Sequence, residues 1–206
     1  MKTSNDSGWK EASAQAFQQQ FTLNLRELND PPTHWRFFLE ELGRIKSVAR
    51  VVDIGCGVGS FSKLLRMWYG DVDYIGYDYS DAAIKTATSM WAEFGRFEEK
   101  DYHDLSPSDI KENDVIVANA LCDVLPDGDE CLDRILSLGA KNVIFLRVRV
   151  TDRPSYYEEY EAYGEINTYA FYHNQDGLDE IIKRHGYKPP RFNYYSDNMI
   201  NIHLEK

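Results

Sequence analysis

The stretch VVDIGCGVGS, residues 51–60, places Gly55, Gly57 and Gly59 on alternate positions directly behind a run that reads as a strand. A strand that enters a glycine-rich turn and continues as a helix is suited to holding a nucleotide-like ligand. Glycine lets the backbone turn tightly and lets a ligand approach where a Cβ would collide, and the helix N-terminus offers free N–H groups. Asp53 stands just ahead of the first glycine, and Cys56 lies inside the turn as a small filler. A ligand that carries a ribose needs an acceptor for its hydroxyl pair about 20 residues beyond the turn, at the end of the second strand. Asp78, in YIGYDYS, meets that requirement, with Tyr79 beside it to lie against a base. The same aspartate also suits an ordinary helix entry ahead of the Ser80 cap.

The spacing here is G-x-G-x-G, whereas a dinucleotide site wants G-x-G-x-x-G. VVDIGCGVGS instead resembles motif I of the class I S-adenosylmethionine-dependent methyltransferases, an acidic residue followed by G-x-G-x-G. The resemblance extends over about residues 49–150. It implies a Rossmann-like α/β fold, a seven-stranded, mostly parallel sheet with an antiparallel C-terminal hairpin, and S-adenosylmethionine as cofactor. It further implies cofactor contacts from Asp53, Gly55, Cys56, Gly57, Gly59, Asp78, Tyr79 and Asn119. An acidic residue after the third strand should accept from the adenine amino group; EEKDYHDLS offers Asp101, with Asp104 as a rival and Tyr102 as a second ring contact.

Behind the fourth strand, CDVLPD (residues 122–127) stands where family members often read L-E-H-L-P-D. Val124 replaces the histidine, so that residue's role does not carry over. Asn119 and Asp123 lie at the correct end of the strand, and His103 and His173 lie in segments that reach the same pocket. Asp123, Asn119 and His103 are therefore the catalytic candidates. A methyl group on sulfonium is already activated, so the protein's task is to hold an acceptor in line and exclude water, with a general base where the acceptor is a hydroxyl.

Substrate contacts are expected outside the common sheet. RPSYYEEYEAYGEINTYAFYH is rich in tyrosine and glutamate, and aromatic faces with carboxylates suit a sugar or a small amine. Tyr156, Tyr157 and Tyr160 are the substrate candidates, and tyrosines packing on the sheet are the alternative. SGWKEASAQA and RVRVTDRPSYY are similar to a group of bacterial methyltransferases encoded near surface-polysaccharide genes, which implies a saccharide or another small polar acceptor. Methylation at oxygen is the first reading. A non-catalytic S-adenosylmethionine sensor or scaffold, or an N-methyltransferase of a small amine, is the second.

The elements that must position these residues are legible in the periodicity. GWKEASAQAFQQQFTLNLREL and PPTHWRFFLEELGRI carry apolar residues at helical spacing, separated by Pro31 and Pro32. From residue 49, β-branched runs alternate with helical stretches: strands in ARVVDIG, VDYIGYD, RFEEK, DVIVANAL and NVIFLRVRV, with helices between most of them. Such alternation predicts right-handed βαβ units and a parallel sheet covered on both faces. After a helix in DGLDEIIKRHG, the runs RFNYYS and MINIHLE are joined by so short a link that they must pair antiparallel. The expected organisation is one methyltransferase domain: a helical lid over 1–46, a cofactor-binding sheet core over 47–150, and a substrate-side insertion and hairpin over 151–206.

The 206 residues, 43% of them hydrophobic, suffice for one α/β core. A net charge of −11, from 34 acidic and 23 basic residues, repels phosphate backbones, so a small-molecule acceptor is expected and a nucleic-acid partner is not. Cys56, Cys122 and Cys131 show neither C-x-x-C nor metal-ligand spacing, and no basic-then-apolar leader or membrane-spanning run is present. A reduced, cytoplasmic setting without a metal follows as the expectation.

Overall fold

The computed structural model describes residues 8–206. Five strands, β1 (Arg50–Ile54), β2 (Asp73–Asp78), β3 (Arg96–Glu99), β4 (Asp114–Asn119) and β5 (Asn142–Thr151), lie parallel in the order β3-β2-β1-β4-β5. The crossovers are helices α3 (Ser60–Tyr69), α4 (Asp81–Trp91) and α5 (Gly128–Ser137), which follow β1, β2 and β4. Beyond β5, α6 (Gln175–Arg184) leads to β8 (Arg191–Ser196) and β9 (Met199–Glu205); β9 pairs antiparallel with both β5 and β8. The mostly parallel sheet with an antiparallel C-terminal pair is the architecture that the sequence pattern predicts.

Strand alternation divides the core into two layers. Val52, Ile54 and Ile116 face α5 and α6, whose Leu132, Ile135, Leu178 and Ile182 are buried against them. Val51, Val115 and Val117 face the opposite layer, built from α3 and α4 and from the N-terminal helices α1 (Ala14–Asn29) and α2 (Thr33–Arg44). α1 buries Phe17, Phe21 and Leu28 there, α2 buries Trp35, Phe38 and Leu42, and Phe38 stacks on Phe61 of α3 at 5.0 Å. The N-terminal helices are thus part of the sheet's cover. The first of them is shorter than the periodicity predicts: Gly8–Glu11 forms a 3-10 turn, and α1 begins only at Ala14. The break comes from Ser13, whose hydroxyl accepts from the Ala16 N–H at 3.2 Å and caps the new helix.

Two strands have no counterpart in the sequence reading. β6 (Tyr156–Ala162) and β7 (Ile166–Asn174) form an antiparallel hairpin inside the tyrosine-rich segment. β6 mixes glutamate with tyrosine and is exposed along most of its length, so it lacks the apolar/polar period of a half-buried strand. β7 pairs in parallel with Arg149–Thr151, past the point where β4 leaves β5, so the hairpin stands at the carboxyl end of the sheet. Trp9 Nε1 donates to Thr168 Oγ1 at 2.9 Å, and that hydroxyl donates to the Val124 carbonyl at 3.0 Å. The N-terminal turn, the hairpin and the loop behind β4 are tied together at this point. Among the described residues no helix is long and apolar enough to cross a membrane.

Candidate functional site

β1 ends at Ile54 and the chain enters the glycine turn. Gly57 has φ 52°, and its N–H donates to Asp78 Oδ2 at 2.9 Å, so the turn is fastened to the end of β2. Gly59, at φ 73°, begins α3, and a Cβ there would meet Phe97 Cε1 at 2.4 Å and Ala87 Cβ at 2.9 Å. Gly59 therefore serves the close packing of the turn on its neighbours and does not line the cavity described next. Cys56 is wedged against Gly76, where an added Cβ would come within 2.7 Å of its Sγ, and burial raises its thiol well above the ordinary range. It fills space beside the turn.

A cavity of about 370 Å³ opens over this turn at the carboxyl end of the sheet. Its floor is Gly55, Gly57, Asp78 and Tyr79; its middle is Asn119, Ala120, Leu121 and Val124; its far wall is Arg147, Tyr160 and Tyr163. α1 covers it with Phe17, Gln20, Asn24 and Glu27, and α2 adds His34 and Trp35. Two smaller recesses flank the turn. One, of about 40 Å³, lies between Tyr77, Tyr79, Tyr102, Lys100 and Leu125. The other, of about 50 Å³, lies between Asp53, Cys56, Gln20, Asn24, Ser60 and Asn119.

The electrostatics of the floor favour a cationic ligand with hydroxyl donors. Asp78 Oδ1 accepts from the Ser80 N–H at 2.9 Å, yet burial raises its carboxyl to about 6 against the pull of these N–H bonds. Burial raises Asp53 to about 7; the Tyr74 hydroxyl, donating to Asp53 Oδ2 at 2.6 Å, opposes this and the charge of Asp78 adds to it. Asp53 Oδ1, Gln20 Oε1 and Asn119 Oδ1 are buried without a hydrogen-bond partner, and all three residues line the second recess. Three unpaired acceptors, one of them a carboxylate oxygen, suit an ammonium group, because each such buried acceptor is costly until a donor reaches it. The first recess, with its tyrosine rings, suits a flat base. The residues present fit S-adenosylmethionine: Asp78 would take the ribose hydroxyls, Tyr79 and Tyr102 the adenine, and Asp53, Gln20 and Asn119 the amino-acid end.

Several residues expected at the site stand elsewhere. The Asp101 carboxylate turns back to accept from the His103 N–H at 3.0 Å and to pair with His103 Nδ1 at 2.8 Å, and neither residue lines the main cavity or the two recesses beside it. Asp123 is only 1% exposed and is bound in an ion pair with Arg149. Ala120, at φ 51°, bends the chain so that Leu121 and Val124 face the cavity while Asp123 points toward the base of the hairpin. His173 is fully buried and pairs with Asp129 at 2.7 Å. Tyr156 stacks on Tyr172 at 4.7 Å and Tyr157 packs edge-on to Tyr169 at 5.2 Å, which leaves Tyr160 as the hairpin's predicted contact in the cavity. Sequence reasoning missed Gln20, Glu27, His34, Arg147 and Tyr163. Burial lowers His34 to about 3, so it stays neutral.

Comparison with known proteins bears on this geometry. A family profile described as "Methyltransferase domain" matches residues 45–186. Trans-aconitate 2-methyltransferase of Variovorax paradoxus (strain S110) is 32% identical over 93 residues, which are 45% of this chain and 35% of that enzyme. The match thus spans about a third of that relative's length. The fold is similar to that of DesVI from Streptomyces venezuelae (TM-score 0.66, 10% identity, 95% of this chain and 99% of that one). It is also similar to a TehB-like S-adenosylmethionine-dependent methyltransferase from Corynebacterium glutamicum (0.62, 18%, 94% and 97%). Magnesium protoporphyrin IX methyltransferase from Synechocystis PCC 6803 with bound S-adenosylmethionine gives 0.56 at 15% identity over 92% and 84%. The family match covers more than half of the chain, so the protein belongs to the methyltransferase-domain family.

Proposed function

We propose that the chain transfers the methyl group to an oxygen atom of a small polar acceptor, a saccharide or a similarly hydroxylated metabolite, held at the hairpin end of the main cavity. One observation carries this reading: a single cavity runs from the glycine turn and Asp78, past Asn119, to Arg147 and Tyr160. Ligands of parallel sheets bind outside the carboxyl ends of the strands, and this cavity lies there. S-adenosylmethionine supplies an activated methyl on sulfonium. The protein orients its two ends through Asp78 and the Asp53 recess and leaves the polar far wall to the acceptor. α1, α2 and the β6–β7 hairpin act as a cover that excludes water, with Phe17, Trp35 and Ala162 as their apolar contribution to the lining. The relative named for trans-aconitate and the neighbour named for a porphyrin both support an acceptor of small-molecule size.

The test is calorimetric titration with S-adenosylmethionine, followed by an acceptor screen that reads release of S-adenosylhomocysteine over sugars, hydroxy acids, amines and phenols. Binding with turnover of an oxygen acceptor is expected. Cofactor binding with no turnover over the whole panel, or turnover of amines alone, would overturn it.

A further inference from the structure

β5 does not run straight past the cavity. Phe145 pairs with Ile202 and Val148 with Ile200, so β5 carries one residue more than β9 across this step. Arg147 sits in the resulting bulge at φ 63°. Its N–H leaves the ladder and donates at 2.9 Å to Oδ1 of the fully buried Asn201, which is itself held by Asn193 at 2.8 Å. A bulge of this kind re-aims a side chain, and glycine takes such a backbone without strain. An arginine held there in a left-handed conformation carries backbone strain that glycine would not. The strain is concentrated at the cavity: Ala120, Arg147 and Tyr163 all line it, and Asn113 is the remaining non-glycine residue with positive φ among the described residues. Backbone strain of this sort gathers at ligand sites.

The guanidinium that the bulge presents acts on Asp123 and Glu27 through its charge, but no carboxylate is bonded to it among the described residues. Arg50 and Arg149, also drawn in from solvent, each hold an aspartate. Arg147 forms no ion pair among the described residues, and its buried Nε has no acceptor. It is the one cationic side chain among the residues that line the main cavity, and its charge reaches Glu27 of the same lining without forming an ion pair. We propose that Arg147 receives a carboxylate of the methyl acceptor, so that the acceptor is a small carboxylic acid; this rests on the reading of the cavity as the methyl-transfer site. A planar fork of N–H donors matches a carboxylate in two parallel bonds. A single arginine, already acting on the carboxylates of Asp123 and Glu27 in a chain of net charge −11, suits one negative charge better than a phosphate dianion.

The experiment titrates matched probes into the full chain loaded with S-adenosylhomocysteine: D-glucuronate against D-glucose, benzoate against benzyl alcohol, succinate against succinamide, and inorganic phosphate. At least one carboxylate should bind, and its neutral counterpart should bind at least about 10-fold more weakly. Arg147→Met should abolish that preference, with S-adenosylhomocysteine affinity unchanged. Arg147→Gly should also abolish it while holding or raising the melting temperature, because glycine relieves the bulge; a purely structural arginine would give the opposite thermal result. The proposal is overturned if no carboxylate binds, if phosphate binds in preference, or if Arg147→Met binds the carboxylate as well as the wild type. Turnover of neutral sugars or phenols without carboxylate binding would overturn it and leave methyl transfer standing. Failure of the wild type to bind S-adenosylhomocysteine would overturn both.

Discussion

Asp78→Asn separates the cofactor site from the stability of the fold. In the folded chain the Asp78 carboxyl is held at about 6 by burial, and in the unfolded chain it titrates near 4. At about pH 8 the ionised form therefore costs folding about 3 kcal/mol, a cost that the amide removes. Against this, the carboxylate accepts from both the Gly57 and the Ser80 N–H groups, at 2.9 Å each. The amide can accept through one atom only, so one buried N–H is left unsatisfied at about 1–3 kcal/mol. The two nearly cancel, and the melting temperature of the ligand-free variant should stay close to that of the wild type. Binding has no such compensation. Losing the charge-assisted bonds to the ribose hydroxyls should cost about 1.5–3 kcal/mol, or about 10- to 150-fold in affinity. Scanning calorimetry at about pH 8 with and without S-adenosylmethionine reads both effects. At 100 times its dissociation constant the cofactor should stabilise the wild type by about 2.7 kcal/mol, and most of that should vanish in the variant. A folded Asp78→Asn protein that binds the cofactor within about threefold of the wild type would refute the assignment.

The pH dependence should run in opposite directions for binding and for stability. Asp53 at about 7 and Asp78 at about 6 both hold protons that the unfolded chain releases near 4, so their contribution to stability is complete below about pH 4 and is lost as pH rises through 6 to 7. Affinity for the cationic cofactor, which needs the ionised carboxylates, should instead fall as pH drops from 8 to 5.5; calorimetric affinities flat across that window would disprove it. Asp123→Ala should strand the Arg149 guanidinium, whose side chain is 16% exposed, and cost about 3 kcal/mol, read as a fall of roughly 6–12 °C in melting temperature. An undiminished melting temperature with lost turnover would restore Asp123 as a catalytic group. Gly59→Ala should fail to give soluble protein, because its Cβ would strike Phe97 at 2.4 Å, whereas Gly57→Ala, 3.1 Å from a glutamine side chain, should fold and bind cofactor poorly. Equal solubility and equal affinity in the two would show that the glycines are interchangeable.

What was legible in the sequence is what depends on local register. The strand, the glycine turn and the following helix are contiguous, and Asp78 meets the turn because β1 and β2 are neighbours in any right-handed βαβ unit. The same logic predicted the sheet and the C-terminal pair. Residues placed by loops were less legible. Asp101 lies beyond a short third strand, where a 3-10 turn claims its carboxylate, and Asp123 lies beyond a left-handed Ala120 that no pattern announces. The hairpin was hidden because Tyr156–Ala162 is exposed on both faces, so neither period stands out. Arg147 and Arg149 look alike in RVRVT, on one face of a strand. Only the bulge, fixed by Asn201 more than fifty residues later, sends one into the cavity and leaves the other to Asp123.

The central claim is that one cavity, floored by the glycine turn and walled by Arg147 and Tyr160, holds cofactor and acceptor together. A crystal structure of the chain with S-adenosylhomocysteine tests it directly. The account predicts the ribose hydroxyls on the Asp78 carboxylate, the adenine beside Tyr79 and Tyr102, the amino group among Asp53, Gln20 and Asn119, and the sulfur open toward Arg147. A ligand bound outside this cavity, or a ribose held by another carboxylate with Asp78 still closed on Gly57 and Ser80 alone, would contradict it.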